Sequence, residues 1–281
     1  MNITNADLHC HSVVSDGTLA PEDLAIRAKA NGVELWSLTD HDVIGGQEQA
    51  RKAAIALGMH YVCGVEISVS WMSQTIHIVG LNIDPEHPGL VNGLRQTRDG
   101  RIERGRLMAQ QLAEVGIPDA YEGAMQFCGN PELLSRTHFA RFLVDHHYCK
   151  DIEEVFTRFL TPGKPGFVDH AWATLEESVS WINAAGGVAV IAHPGRYRLT
   201  ELQKDELYKS FKAFGGQGIE VITGSHAPHQ YHEYEKVALR YDFYASRGAD
   251  FHSPDESHTD LGTLPMLPAS LKPIWSLFNF N

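Results

Sequence analysis

An α/β fold with mainly parallel strands is the architecture this sequence predicts, and three observations predict it. Short β-rich runs alternate with helical stretches on either side of the chain's middle. Several of those runs, such as GVAVIAH (187–193), are continuously apolar rather than alternating, as in strands covered on both faces. Residues 99–166 then break the rhythm with successive helical patterns and no convincing strand, which reads as a helical insertion. Without it, residues 1–98 and 167–281 leave about 213 residues, a size that suits a small (β/α) barrel.

Seven strands are expected in chain order: 3–9, 33–40, 59–66, 75–81, 187–193, 216–221 and 242–250. Between the early ones lie helices at 20–32 and 45–58. The first has Pro21 at an early helical position and stops at Gly32. The insertion should carry helices at 101–116, 120–128, 135–147 and 152–160, with TPGKPGFV (161–168) leading back to the barrel.

Composition narrows the function. The 281 residues carry 23 Lys+Arg against 35 Asp+Glu, a net charge of −12 with His neutral. A duplex-DNA binder working through a broad basic face is excluded; an anionic substrate is not, because bound metal ions reverse the sign locally. Sixteen His is an unusual number, and His is the commonest metal ligand and near-neutral proton carrier. The four Cys form no CxxC pair, and their scatter suits a reducing compartment. The N-terminal segment shows no signal-peptide pattern and no run of 18 apolar residues occurs, so a cytoplasmic protein without a membrane span is expected. No obligate protein partner is indicated.

The acidic residues and histidines fall at the ends of the expected strands. His9 and His11, two apart on an extended segment, point the same way. Asp16 follows in the first loop. His41 ends the second strand between Asp40 and Asp42, Glu66 ends the third, and His77 lies in the fourth. His193 ends the fifth, and Asp250 and His252 end the last. In a barrel of parallel strands these ends share one face, where such barrels place their active sites. Six His and three carboxylates suit Zn, Mn or Fe better than Ca, and they are too many for one ion.

The segments DLHCHSVVSDG, LTDHD, GVEIS, HIVGL, AHPGR and GADFH resemble the successive motifs of the PHP (polymerase and histidinol phosphatase) family of metal-dependent phosphoesterases. SRTHFARFLV, FLTPGKPGFV and IAHPGRY extend the similarity to one subgroup, the nucleoside 3′,5′-bisphosphate phosphatases and the 5′-3′ exoribonucleases called RNase AM. The resemblance implies a distorted seven-stranded (β/α) barrel with a helical insertion used for substrate recognition. It implies three divalent ions, with Mn the first expectation and Fe or Zn also suited. One ion would take His9, His11, Glu66 and Asp250. A second would share Glu66 and add His77 and His193. A third would take Asp16, His41 and His252. These residues would act through a metal-held hydroxide. The expected substrate is a small nucleotide or short 5′-phosphorylated RNA, cut at the 3′-oxygen. A histidinol-phosphate phosphatase and an amidohydrolase-type metalloenzyme are the alternatives.

Other basic residues carry two readings each. Arg136, His138, Lys164 and Arg196 are candidates to clamp a second phosphate, Arg as a bidentate fork and Lys as a point charge; otherwise they are surface or helix-face residues. Arg95, Arg98, Arg101, Arg104 and Arg106 could track an RNA backbone, but a solvated face paired with Asp99 and Glu103 is the simpler expectation. His226, His229 and His232 are expected at the surface, and His146, His147 and His170 are expected to be structural.

Overall fold

The computed structural model describes residues 3–278; the expected outer bounds at 1 and 281 lie outside the described residues. The first half runs β1 (Ala6–Asp7), α1 (Pro21–Ala30), β2 (Leu35–Trp36), α2 (Gln47–Ala56), β3 (His60–Tyr61), β4 (Gly64–Trp71) and β5 (Gln74–Leu81). Helices α3 (Pro88–Asp99), α4 (Arg101–Glu114), α5 (Ala120–Gln126), α6 (Arg136–Asp145) and α7 (Ile152–Val155) follow. The chain returns through β6 (Ala173–Thr174), α8 (Leu175–Ala184), β7 (Val188–Ile191), α9 (Glu201–Ala213), β8 (Gly218–Thr223), α10 (Pro228–Tyr241) and β9 (Tyr244–Gly248).

Two sheets form, β1-β2-β3 and β6-β4-β5-β7-β8-β9, and backbone hydrogen bonds join them in two places. On one side His41 bridges Glu66, with Glu66 N donating to Asp40 O and Asp42 N to Glu66 O. On the other, Cys10 bridges Phe251, Leu8 N donates to Arg247 O and Asp250 N to His9 O. The pairing therefore closes on itself. At that seam β9 comes so near β1 that a Cβ on Gly248 would lie 2.4 Å from the His9 Cβ, so glycine is required there.

The strands are mainly parallel, as expected, with β5 the exception: it pairs antiparallel with both β4 and β7. The place of Glu66 is corrected, since it sits inside β4 rather than ending a strand at 66. Residues 67–71 and 74 also belong to the strands, because β4 and β5 form one hairpin. Its turn residues Met72 and Ser73 both have positive φ, 45° and 62°, the two-residue turn that usually advertises itself as Asn-Gly. The remaining neighbours β1-β2, β2-β3, β4-β6, β7-β8 and β8-β9 are parallel.

Apolar residues divide into three packed groups. Leu8, Leu35, Val79, Val190 and Ala192 fill the space inside the strands. Trp36, Ile67, Val179, Phe211 and Tyr234 seal the outer helices onto the sheet. Met108, Leu112, Phe139, Phe142, Val155 and Leu160 form a separate cluster within α4–α7, so these helices bury their faces largely against one another. Among the described residues no helix is long and apolar enough to cross a membrane.

Candidate metal centre and the adjoining pocket

Strand ends and first loops deliver the candidate ligands to one place. The His9 and His11 rings, on the extended segment after β1, bring their Nε2 atoms within 3.2 Å. Each Nε2 also lies 3.3 Å from Glu66 Oε2 and within 3.5 Å of Asp250 Oδ1. Because β5 runs against β4, His77 stands opposite Ser68 and reaches back to Glu66 Oε1 with its Nδ1 at 2.9 Å. His193 Nε2 meets the same oxygen at 2.9 Å. His41 Nδ1 is 2.9 Å from the other Glu66 oxygen. Asp16 Oδ1 faces His252 Nε2 at 3.5 Å and His41 Nε2 at 4.0 Å.

All nine residues thus converge, and Glu66 stands at their centre. Overlapping ligand groups result: His9, His11 and Asp250; His9, Glu66 and His193; His41, Glu66 and His77; and His11, Asp16, His41 and His252. The donor set fits divalent cations on two grounds. Imidazole with carboxylate is the chemistry Mn, Fe and Zn accept. His11 Nδ1, Asp16 Oδ1, Glu66 Oε2 and His193 Nδ1 are also buried without a hydrogen-bond partner, a cost that coordination would relieve.

Electrostatics follow from packing acids and imidazoles out of water. Burial pushes Glu66 upward, but His41, His77 and His9 together hold it well below the usual carboxylate range. Asp16 and Asp250 behave alike against His41 and His9 respectively. Burial works against a proton on His9, yet Glu220, Glu66 and Asp250 raise it well above its ordinary value. Burial and Arg196 take His193 down to about 3. Backbone strain gathers here too: His193 and Asp250 have φ of 24° and 53°, and Asp42 beside His41 has 51°.

Supporting residues escaped the sequence reading. Glu220 in β8 accepts from His193 N at 2.6 Å and meets His9 Nδ1 at 2.8 Å, orienting two ligands at once. Asp40 gathers Ser12 N, Ser12 Oγ and Ser15 Oγ and so shapes the loop that carries Asp16. The available signal was acidic residues inside apolar runs, which burial tolerates only when they are paired.

A pocket opens beside the ligands, lined among others by Arg101, Arg104, Arg136, Arg196, Phe156 and Trp172. This corrects the solvated-face expectation for α4. Arg101 and Arg104 are buried, Arg101 pairs with Asp42, and both guanidinium groups stand over the Trp172 ring at 4.6 and 5.3 Å. Arg106 does pair with Glu103 at the surface, Arg98 reaches Glu132, and Arg95 is exposed. The signal was the apolar stripe Gly105, Met108, Leu112, which at helical spacing continues backward onto Arg101 and Arg104. Burial, with Arg136 and Arg101 nearby, lowers Arg104 to about 9, and burial with Arg196 and Arg101 lowers Arg136 to about 10. Both stay cationic at neutral pH, and Arg101 Nε is buried without an acceptor. Such a group of close cations awaits an anion.

Of the other expected substrate contacts, Arg136 lines the pocket with Nη1 on Leu160 O at 3.3 Å, and Arg196 lines it while holding Asp250 Oδ2 at 3.2 Å. His138 is buried and serves as the N-terminal box of α6, its Nδ1 accepting from Ser135 N at 3.0 Å. Lys164 is exposed on the return loop and does not line this pocket. His226 is also corrected: it is buried, stacked on Tyr234, and its Nε2 accepts from Gly195 N at 2.9 Å. His229 and His232 lie in a shallow groove on α10, and His232 pairs with Glu235.

The chain is similar over most of its length to known proteins. The model of the PHP domain matches residues 7–246. A 3′,5′-nucleoside bisphosphate phosphatase of Chromobacterium violaceum is 50% identical over 273 residues, covering 97% of this chain and 96% of the relative. A 5′-3′ exoribonuclease of Haemophilus influenzae is 39% identical, covering 97% and 98%. A solved structure described as an amidohydrolase from Chromobacterium violaceum, with bound sulfate and no metal, superimposes with a TM-score of 0.93 at 49% identity, over 97% of this chain and 95% of that one. A candidate metal-dependent phosphoesterase from Bifidobacterium adolescentis gives a TM-score of 0.80 at 25% identity, over 96% and 93%.

Proposed function

The chain belongs to the PHP-domain family, and on that premise we propose that its substrate is a ribonucleotide bearing a 5′-phosphate, cut at the ester of the 3′-oxygen. It is a phosphoric ester hydrolase. With a nucleoside 3′,5′-bisphosphate the products are a 5′-nucleotide and inorganic phosphate. With short 5′-phosphorylated RNA the same cut releases 5′-nucleotides stepwise, a reading that the 39% identity to an exoribonuclease favours beside the first. One observation carries the proposal: a ligand cluster centred on Glu66 shares a pocket with Arg101, Arg104, Arg136 and Arg196. Two anion-binding regions side by side suit a substrate with two phosphates.

Three divalent ions, manganese first and iron or zinc next, are proposed on His9–His11–Glu66–Asp250, Glu66–His77–His193 and Asp16–His41–His252. When bound, such ions polarise a phosphoryl oxygen and lower the pKa of water they hold. The chain's own residues do the rest. Glu66 presents one oxygen towards His77 and His193 and the other towards His9, His11 and His41, so a single carboxylate spans the site. Glu220 locks His9 and the His193 backbone. Arg104 and Arg136, with Arg101 and Arg196 beside them, hold the 5′-phosphate and so decide which ester reaches the ligand cluster. His138 positions the start of α6, and exposed Lys164 meets substrate extending beyond the pocket. In this reading 99–166 is the recognition unit of a barrel formed by 1–98 and 167–281. The four free cysteines suit a reducing cytoplasm.

The test is a metal-reconstituted assay on four substrates: a nucleoside 3′,5′-bisphosphate, the matching 3′-monophosphate, and a short RNA with either a 5′-phosphate or a 5′-hydroxyl. Turnover should be strong only where the 5′-phosphate is present. Equal rates with and without it, or faster hydrolysis of histidinol phosphate, an amide or a lactone, would sink the proposal.

A further inference from the structure

The ligand groups differ in what holds them. His9 and the His193 backbone are fixed by Glu220, Asp250 accepts from Ser225 and Arg196, and His77 N donates to Tyr197 Oη at 2.9 Å. Those supports come from β8 and the loops after β7 and β8. Asp16, His41 and His252 have barrel contacts too, through Asp40, Glu66 and the Asp250 carbonyl, but take further support from the helices. Ser135, at the start of α6, donates its hydroxyl to Asp16 Oδ2 at 3.2 Å, which leaves the buried Oδ1 without a partner and facing His41 and His252. Asp42, next to His41, receives Arg101 on its carboxylate and Arg98 Nη1 on its carbonyl at 2.7 Å. Glu256 forms a bidentate pair with Arg141 of α6, 2.7 Å for each bond, in the loop whose Ser257 Oγ accepts from His252 N at 2.9 Å.

We propose that the cation site of Asp16, His41 and His252 is completed by the helices, with Ser135, Arg101 and Arg141 as its positioning residues, so that cation binding there and docking of α4 and α6 on the barrel are thermodynamically linked. The inference rests on the metal reading above. Its physical basis is that a short carboxylate on a loop coordinates well only when its unused oxygen is anchored, and that two of the three ligands sit on loops whose outer side is covered by the helices. Reciprocity then follows: whatever the docked helices add to cation affinity, the cation returns as helix docking. A substrate whose 5′-phosphate is held by Arg104 of α4 and Arg136 of α6 engages the same helices, so that phosphate reinforces this cation site through them.

The probe is Mn²⁺ alone, on the full-length chain, followed by equilibrium dialysis with elemental analysis and by hydrogen exchange of α4 and α6. In the wild-type chain, filling the weakest class of site should slow exchange in α6. Ser135→Ala and Glu256→Gln should each weaken one class of Mn²⁺ by roughly 10–100-fold and remove that slowing, with the other ions retained. Ser135→Thr, which keeps the hydroxyl, should return affinity towards wild type, and Glu256→Gln lies at a partly exposed position that folding tolerates. Unchanged binding in both variants overturns the proposal, as does a uniform loss of every ion, which would signify general damage. A wild-type chain that binds Mn²⁺ normally separates these outcomes from failure of the metal reading; one that takes up no Mn²⁺ removes both.

Discussion

At the scale of the residue, Glu66 carries the most. It is fully buried, and both its oxygens face imidazoles at 2.9–3.3 Å. Glu66→Gln should lower turnover by at least about 10³-fold, since an amide cannot neutralise two cations, and elemental analysis should find fewer ions per chain. Full metal content with near-normal rates would remove Glu66 from the centre. Arg104→Ala removes a buried cation from the pocket and leaves every ligand in place. A lost charge-assisted contact is worth roughly 1.5–3 kcal/mol, so kcat/KM should fall about 10- to 200-fold on 5′-phosphorylated substrates and little on their 5′-hydroxyl counterparts. Equal losses on both would assign Arg104 to folding. His226 supplies a pH test. Burial, aided by Arg196, lowers it to about 4, and as an acceptor from Gly195 N it must be neutral. The unfolded chain takes up this proton below its ordinary value near 6.5. The stability His226 contributes is therefore complete above that pH and declines as pH falls towards 4, by about 3 kcal/mol at most. His226→Gln should flatten that part of the stability–pH curve in denaturant titrations; an unchanged slope would deny the neutral-acceptor role.

At the scale of the element, signals were uneven. Helices α1 and α2 lie within the stretches their start and stop residues indicated, because Pro21 and the following glycines act locally. The β4–β5 hairpin was illegible: Met72-Ser73 has no turn chemistry, and tertiary pairing over eight residues imposes the left-handed backbone. Glycine removes the cost of a positive φ, so Ser73→Gly should raise stability by about 1 kcal/mol with activity unchanged, read by thermal or denaturant unfolding. A loss of stability would mean that the Ser73 side chain contributes something the backbone argument omits. Helix α4 shows the opposite difficulty. Its spacing was visible, but whether the arginine face meets water or Trp172 depends on where the helix is laid.

At the scale of the molecule, the nine ligand positions come from both ends of the chain, and any ions they hold tie those ends together. Bound only by the folded state, Mn²⁺ at about 100 times its Kd should stabilise by about 2.7 kcal/mol for each site filled, so even one filled site corresponds to a rise in Tm of roughly 5–10 °C for a chain of this size. A chelator should reverse it. No shift between chelated and Mn²⁺-loaded protein would mean that the cluster holds no ion in the native state. Net charge also acts at this scale. A −12 molecule repels nucleotides at a distance, and the arginines of one pocket, with the ions, supply the local exception.

The sequence alone determined the α/β class, the helical run between 99 and 166 and the candidate ligands, because each rests on local spacing: apolar runs, helical periodicity, and acids or histidines where strands stop. Tertiary structure decided the direction of β5, which turns His77 back onto Glu66, and the burial of Arg101, Arg104 and His226. It also decided that Glu220 meets His9 and the His193 backbone and that Ser135 meets Asp16, partners far apart in the chain. A residue's neighbours along the chain set its propensity. Its desolvation, and so its charge and its partner, are set by whichever distant segment is packed over it.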